Sequence, residues 1–135
     1  MKISLLTDAY KHNLALMKLS AYHKMIGDDV RLNLPLWKAD KTYASVIFDW
    51  NKNKFIADEY GGPGCWTNPL GIDIKPDYDL YELDFSLGYT YRFCPRHCDF
   101  CKVWKMETDK SHYSISQFHD FRFNKICILN SLKFN

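Results

Sequence analysis

The chain has little charge of one sign and no long apolar run, and both shortages narrow what it can do. Its 18 Lys and Arg residues are met by 16 Asp and Glu residues, leaving a formal net charge of +2. That balance provides no electrostatic footprint for nucleic acid, so nucleic acid is not expected as a partner. No window approaches the roughly 20 apolar residues of a membrane span. The opening, Met1-Lys2-Ile3-Ser4-Leu5-Leu6-Thr7-Asp8, is too short in its apolar run for a signal peptide. A cytoplasmic chain without a membrane partner is the expectation. Glycine is missing from Asp8-Ala9-Tyr10-Lys11-His12-Asn13, the segment that follows the first apolar run. Its absence excludes both the dinucleotide fingerprint and a phosphate-cradling loop at that place. There is no internal repeat or low-complexity tract, and no Ser/His/Asp order that would mark a hydrolase. The paired carboxylates Asp28-Asp29 and Asp58-Glu59 fall at an element start or in loops and carry no acid–base signature.

What is present describes a folded α/β chain. The 135 residues suit one ordinary domain, and 47% apolar with 16% aromatic residues argues against disorder. Lys2 to Thr7 reads as a short buried strand. Asn13 is placed to cap a helix over Leu14–Ile26, which Gly27 can close. Leu14, Met17, Ala21 and Met25 share one stripe, so both methionines are expected to fill core. His12 and His23 read as surface or capping residues. Val30, Leu32 and Leu34 alternate with polar neighbours, giving a second strand and hence a βαβ unit with parallel neighbours. Tyr43 to Phe48 is expected as a third strand, with a short helix within 49–60. Gly61-Gly62-Pro63-Gly64 is expected to be a turn or loop, and Cys65 to Asp79 an extended linker. A domain boundary is placed near residue 80. Beyond it, the alternating run Ser86 to Phe93 reads as a strand, Ser116 to Phe121 as a helical turn, and Lys125 to Leu129 as a further strand.

Five cysteines are an odd number, and three of them, Cys94, Cys98 and Cys101, crowd one stretch: Arg92-Phe93-Cys94-Pro95-Arg96-His97-Cys98-Asp99-Phe100-Cys101-Lys102. That usage fits a reducing compartment and metal chemistry better than a disulfide framework. A strand that delivers three thiols into one short loop suits a soft ion that gathers them as thiolates. Arg92, Arg96, Lys102 and Lys105 flank the thiols, and their fields favour thiolate. Three thiolates are one short of the usual four for an iron–sulfur cluster or structural zinc. Cys65 and Cys127 are read as buried small hydrophobes.

The spacing, with Phe100 before the last cysteine, resembles the radical S-adenosylmethionine superfamily. The resemblance implies a 4Fe–4S cluster held by Cys94, Cys98 and Cys101, with one iron left open to S-adenosylmethionine and Phe100 beside its adenine. It also implies an electron donor such as a flavodoxin or ferredoxin. The implied fold is a small parallel-sheet, Rossmann-like domain over residues 1–80, similar to a cobalamin domain without its ligand motif. Residues 81–135 would then form the first βαβ of an incomplete radical S-adenosylmethionine barrel, with another chain as a possible partner completing it. Such a chain is expected to be an amino-terminal portion or a shortened relative, better at holding a cluster than at catalysis. His97 is a spectator in this reading. The alternative uses the same cysteines in a non-enzymatic zinc or interaction module, completed by His97, His112 or Cys127.

Overall fold

The computed structural model describes residues 1–9, 11–34, 36–51, 53–62, 74–90, 99–100 and 112–129. Its organising element is β1 (Lys2–Thr7), in which Ile3, Ser4, Leu5, Leu6 and Thr7 are all buried. A strand with both faces covered is the mark of the centre of a parallel sheet. β2 (Asp29–Leu32) lies on one side of β1, and β3 (Lys41–Ser45) lies on the other. β4 (Glu59–Gly61) pairs with β3 at the far edge, giving the order β2-β1-β3-β4. Every pairing is parallel: Leu5 faces Leu32 in β2 and Tyr43 in β3, and Tyr43 in turn faces Glu59. The α/β class and the parallel neighbours expected from the sequence are what the structure has. The edge strands are short and largely exposed, which limits unwanted edge pairing.

The crossover from β1 to β2 is α1 (Leu14–Met25). The Asn13 side chain accepts a hydrogen bond from the Leu16 N–H, and Gly27 follows the helix with φ +90°. α1 carries Leu16 into a cluster with Ile3, Leu5 and Val30. Its next residue, Met17, joins Tyr78 and Leu87 in a second cluster, and Leu80 packs against both. Full burial of each such side chain is worth roughly 1.5–3 kcal/mol.

Met25 departs from its expected place: it is 67% exposed. The buried residues of the helix are Leu16, Met17, Ser20 and His23, and at about 3.6 residues per turn Met25 lies half a turn round from Leu16. His23, expected at the surface, is 4% exposed. Its Nδ1 lies 2.8 Å from the Asp28 carboxylate and its Nε2 lies 3.2 Å from the Tyr43 hydroxyl, so both ring nitrogens are partnered in the interior. The second strand stops at Leu32 because Asn33 turns left-handed at φ 53°, a conformation asparagine tolerates. Between Asp49 and Tyr60 the structure has a three-residue 3-10 turn, Asp49–Asn51, and then β4. Gly61 therefore belongs to a strand and not to a turn.

A second, two-stranded parallel sheet pairs β5 (Ser86–Gly88) with β6 (Ile126–Ile128). β5 is fully buried, whereas all three residues of β6 are exposed. Cys127, read as a buried hydrophobe, is thus an exposed free thiol: its strand has β5 on one side and solvent over its faces. Among the described residues the connection from β5 to β6 contains one 3-10 turn, Ile115–Gln117. No helix among the described residues is long and apolar enough to cross a membrane.

Candidate functional site

In an open parallel sheet, ligands bind outside the carboxyl ends of the strands where the winding direction reverses. Here the reversal lies between β1 and β3, because β2 and β3 flank β1 on opposite sides. The residues gathered there are Thr7, Asp8, Asn13 and Ser45, all buried. Asn13 donates from Nδ2 to the Ser45 hydroxyl at 2.8 Å and to the Thr7 hydroxyl at 3.3 Å. The Thr7 N–H donates to Asn33 Oδ1 at 3.0 Å, and the Ala9 N–H donates to Thr7 Oγ1. Asp8 accepts from the Ile47 N–H at 2.8 Å, the Phe48 N–H at 3.1 Å and Asn51 Nδ2 at 2.9 Å. Burial pulls its carboxyl upward, but the Asn51 amide and the two N–H groups outweigh that and hold it below the ordinary carboxylate value.

These bonds stitch the loops after β1, β2 and β3 to one another. Among the described residues no buried side-chain nitrogen or oxygen is left without a partner. The polar groups of the reversal point therefore hold the chain's own loops. In the chain that follows β3 the rings of Phe48 and Trp50 stack at 4.7 Å, with Trp50 79% exposed.

The second carboxyl edge is that of β5, and the cysteine-bearing segment leaves from it. Cys94, Cys98 and Cys101 lie outside the described residues, as do His97 and Cys65. Of the sequence-predicted site residues, Phe100 is described: it follows Asp99 in a turn and is 92% exposed, so it is not a core residue. His112 and Cys127, offered as completing ligands for zinc, are both exposed. Among the described residues no three His, Cys, Asp or Glu side chains converge as a metal site.

What the sequence did not reveal is how the root of this segment is built. Tyr78, 2% exposed, begins the 3-10 turn Tyr78–Tyr81 and points its phenol at β5. The phenol oxygen accepts from the Leu87 N–H at 3.2 Å and lies within hydrogen-bond reach of the carbonyl oxygens of Leu87 and Phe118, to one of which it donates at a time. Burial pushes its pKa up, so it stays a neutral donor. At the other end of β5 the Ser86 hydroxyl meets His119 Nδ1 at 2.9 Å and accepts from the Asp120 N–H at 2.8 Å. Gly88 faces the Phe118 ring so closely that an added Cβ would meet ring carbons at 2.4–2.7 Å.

No protein-family model matches this sequence, and the comparisons with curated proteins and with solved structures found no match either.

Proposed function

We propose that the chain is an iron–sulfur protein of the radical S-adenosylmethionine type, in which Cys94, Cys98 and Cys101 supply the protein ligands of a 4Fe–4S cluster. One observation carries the reading: three cysteines at spacings of four and three begin six residues beyond the carboxyl-terminal residue of a buried parallel strand, Gly88. In βα barrels the chemistry sits on loops at that end of the strands. The chemistry of the donor set fits the group. Three thiolates are soft, and Arg92, Arg96, Lys102 and Lys105 offset the charge of a cluster. When bound, such a cluster supplies an electron to S-adenosylmethionine chelated at the iron that has no protein ligand. The chain's own part is to present the three thiolates and to offer Phe100 as a flat apolar neighbour for the adenine. The finer fold assignment, β5 and β6 as the first strands of such a barrel after a Rossmann-like unit, belongs to the same proposal. So does a flavodoxin or ferredoxin as electron donor.

Anaerobic reconstitution with iron and sulfide tests it. A brown protein with acid-labile sulfide in near-stoichiometric amount is the expected result. A colourless protein that takes up one zinc ion in place of iron and sulfide would replace the reading with the zinc module.

A further inference from the structure

Among the described residues β2, β4 and β6 each end a sheet and carry exposed residues, and they differ in charge. β2 has Asp29 and Arg31 as an exposed ion pair at 3.3 Å, and β4 has Glu59 paired with Lys41 at 2.9 Å. Charges of this kind keep a second strand away from an edge. β6 has none: Ile126, Cys127 and Ile128 are uncharged and exposed, the two isoleucines at 42% and 45%. Its backbone is also only half used. The Lys125 carbonyl oxygen accepts from the Ser86 N–H and the Leu129 N–H donates to the Gly88 carbonyl, so these groups, and those of Cys127 between them, turn toward β5. In a parallel ladder alternate residues face the same neighbour, so the N–H and C=O groups of Ile126 and Ile128 point the other way. Among the described residues no strand pairs with them. We infer that the open edge of β6 is an interface for a second copy of this chain, the two β6 strands running antiparallel about a two-fold axis beside Cys127.

The second copy is the occupant because the edge is self-complementary. With Cys127 opposite Cys127 of the second copy, Ile126 faces Ile128 of the other strand, and the outward N–H and C=O groups of each bond with those of the other. The isoleucines then gather on one face of the joined sheet and the two thiols on the other. Lys125 falls opposite Leu129 of the second copy, so like charges do not meet. A slip of one residue would set open backbone groups against groups already bonded to β5, which fixes the register. In that register the two Cys127 residues form a non-hydrogen-bonded pair, with Cα atoms about 4.5 Å apart, within the roughly 4.4–6.8 Å that a disulfide spans. Cys127, an exposed free thiol, therefore reports on the interface. So short an edge gives weak association that depends on concentration. The inference uses no part of the cysteine segment and is independent of the cluster.

The test is sedimentation velocity on the full metal-free chain over a wide range of concentration, with disulfide trapping as a second readout. The mass should rise with concentration toward twice that of the 16.0 kDa chain. Ile128→Pro removes an outward donor and leaves every bond to β5 in place, and Ile126→Lys adds a charge to the edge. Each should weaken association about tenfold or more, with the circular dichroism spectrum unchanged. For trapping, chains labelled with nitrogen-15 are mixed with unlabelled chains and oxidised by diamide, an azo compound that takes up the two thiol hydrogens. Mass spectrometry of the digest should find a labelled Cys127 peptide joined to an unlabelled one, formed more slowly in Ile128→Pro. A monomeric mass at every concentration overturns the inference and leaves the edge to a further strand. Association that neither substitution weakens overturns it too, as does trapping that runs as fast in Ile128→Pro as in the parent chain. If Ile128→Pro does not fold, Ile126→Lys decides by the same two readouts.

Discussion

The Asp8 carboxylate and the Asn51 side-chain amide meet at 2.9 Å although 43 positions separate them in the chain. Asp8 directly follows the central strand and Asn51 ends the turn after β3, so their bond, with those from Ile47 and Phe48, fastens the loop after β1 to the loop after β3. Asp8→Ala removes the acceptor of three donors. It should lower stability by about 1–3 kcal/mol, with a fall of several degrees in Tm measured calorimetrically.

The same carboxylate makes stability depend on acid. The pKa of Asp8 lies below its ordinary value of 3.8, as does that of Asp28, where the hydrogen bond from His23 is the leading cause and the amino group of Met1 adds to it. A lowered pKa gives stability that is complete above the unfolded value and is lost as pH falls through the folded one. Unfolding free energy should therefore be flat from pH 7 to about pH 5 with respect to these groups and should drop below pH 4. Asp8→Asn should make that acid limb shallower; an unaltered limb in denaturant titrations would contradict the assignment.

His23 holds Asp28 with one ring nitrogen and Tyr43 with the other, across the join of α1 and β3. His23→Ala should destabilise the chain by ~1–3 kcal/mol, because the Asp28 carboxylate and the half-buried Tyr43 hydroxyl then lose a partner. His23→Gln, which can still reach one of them, should lose less. Chemical denaturation of the three proteins checks the order.

Gly62 and Gly27 both have positive φ, at +93° and +90°, but their surroundings differ. A Cβ at Gly62 would stand 2.5 Å from the Val46 carbonyl oxygen, whereas nothing lies within 4 Å of one at Gly27. Gly27→Ala should lose only the conformational term of about 1 kcal/mol. Gly62→Ala should lose clearly more, since β4 must also shift away from β3. Equal losses in a urea titration would refute the steric distinction.

Alanine at Cys94, Cys98 or Cys101 should each abolish retention of iron and sulfide after reconstitution and desalting, whereas Cys127→Ala should leave it unchanged. Full iron content in all three of the first variants would sink the proposed function. Loss in the fourth would bring Cys127 into the ligand set.

The parts of the fold that could be read ahead were those written locally. The apolar run of β1, the Asn13 cap and the terminal Gly27 all carry their signal within a few residues, and each stands where the sequence put it. β4 escaped notice because Glu59-Tyr60-Gly61 has no apolar alternation of its own and is a strand only by pairing with β3. His23 escaped because its partners, Asp28 and Tyr43, are brought to it by the crossover and the sheet. Met25 misled because the helix turns its buried side toward two clusters at once, through Leu16 and Met17, and the stripe from Leu14 to Met25 follows neither for its whole length. At the candidate site the three cysteines were legible as a spacing, while the phenol that braces β5 was not. Nothing in Asp77-Tyr78-Asp79 distinguishes a tyrosine that reaches β5 from one on a surface.

All four ladders among the described strands run in one direction. None of these pairs is a hairpin that could zip up from a turn, so each must wait for a distant stretch of chain to diffuse into register. Among the described residues α1 is the longest element whose hydrogen bonds are local. Refolding should accordingly be governed by the docking of that helix, and its rate should respond more to Leu16 and Met17 than to any residue of the strand edges.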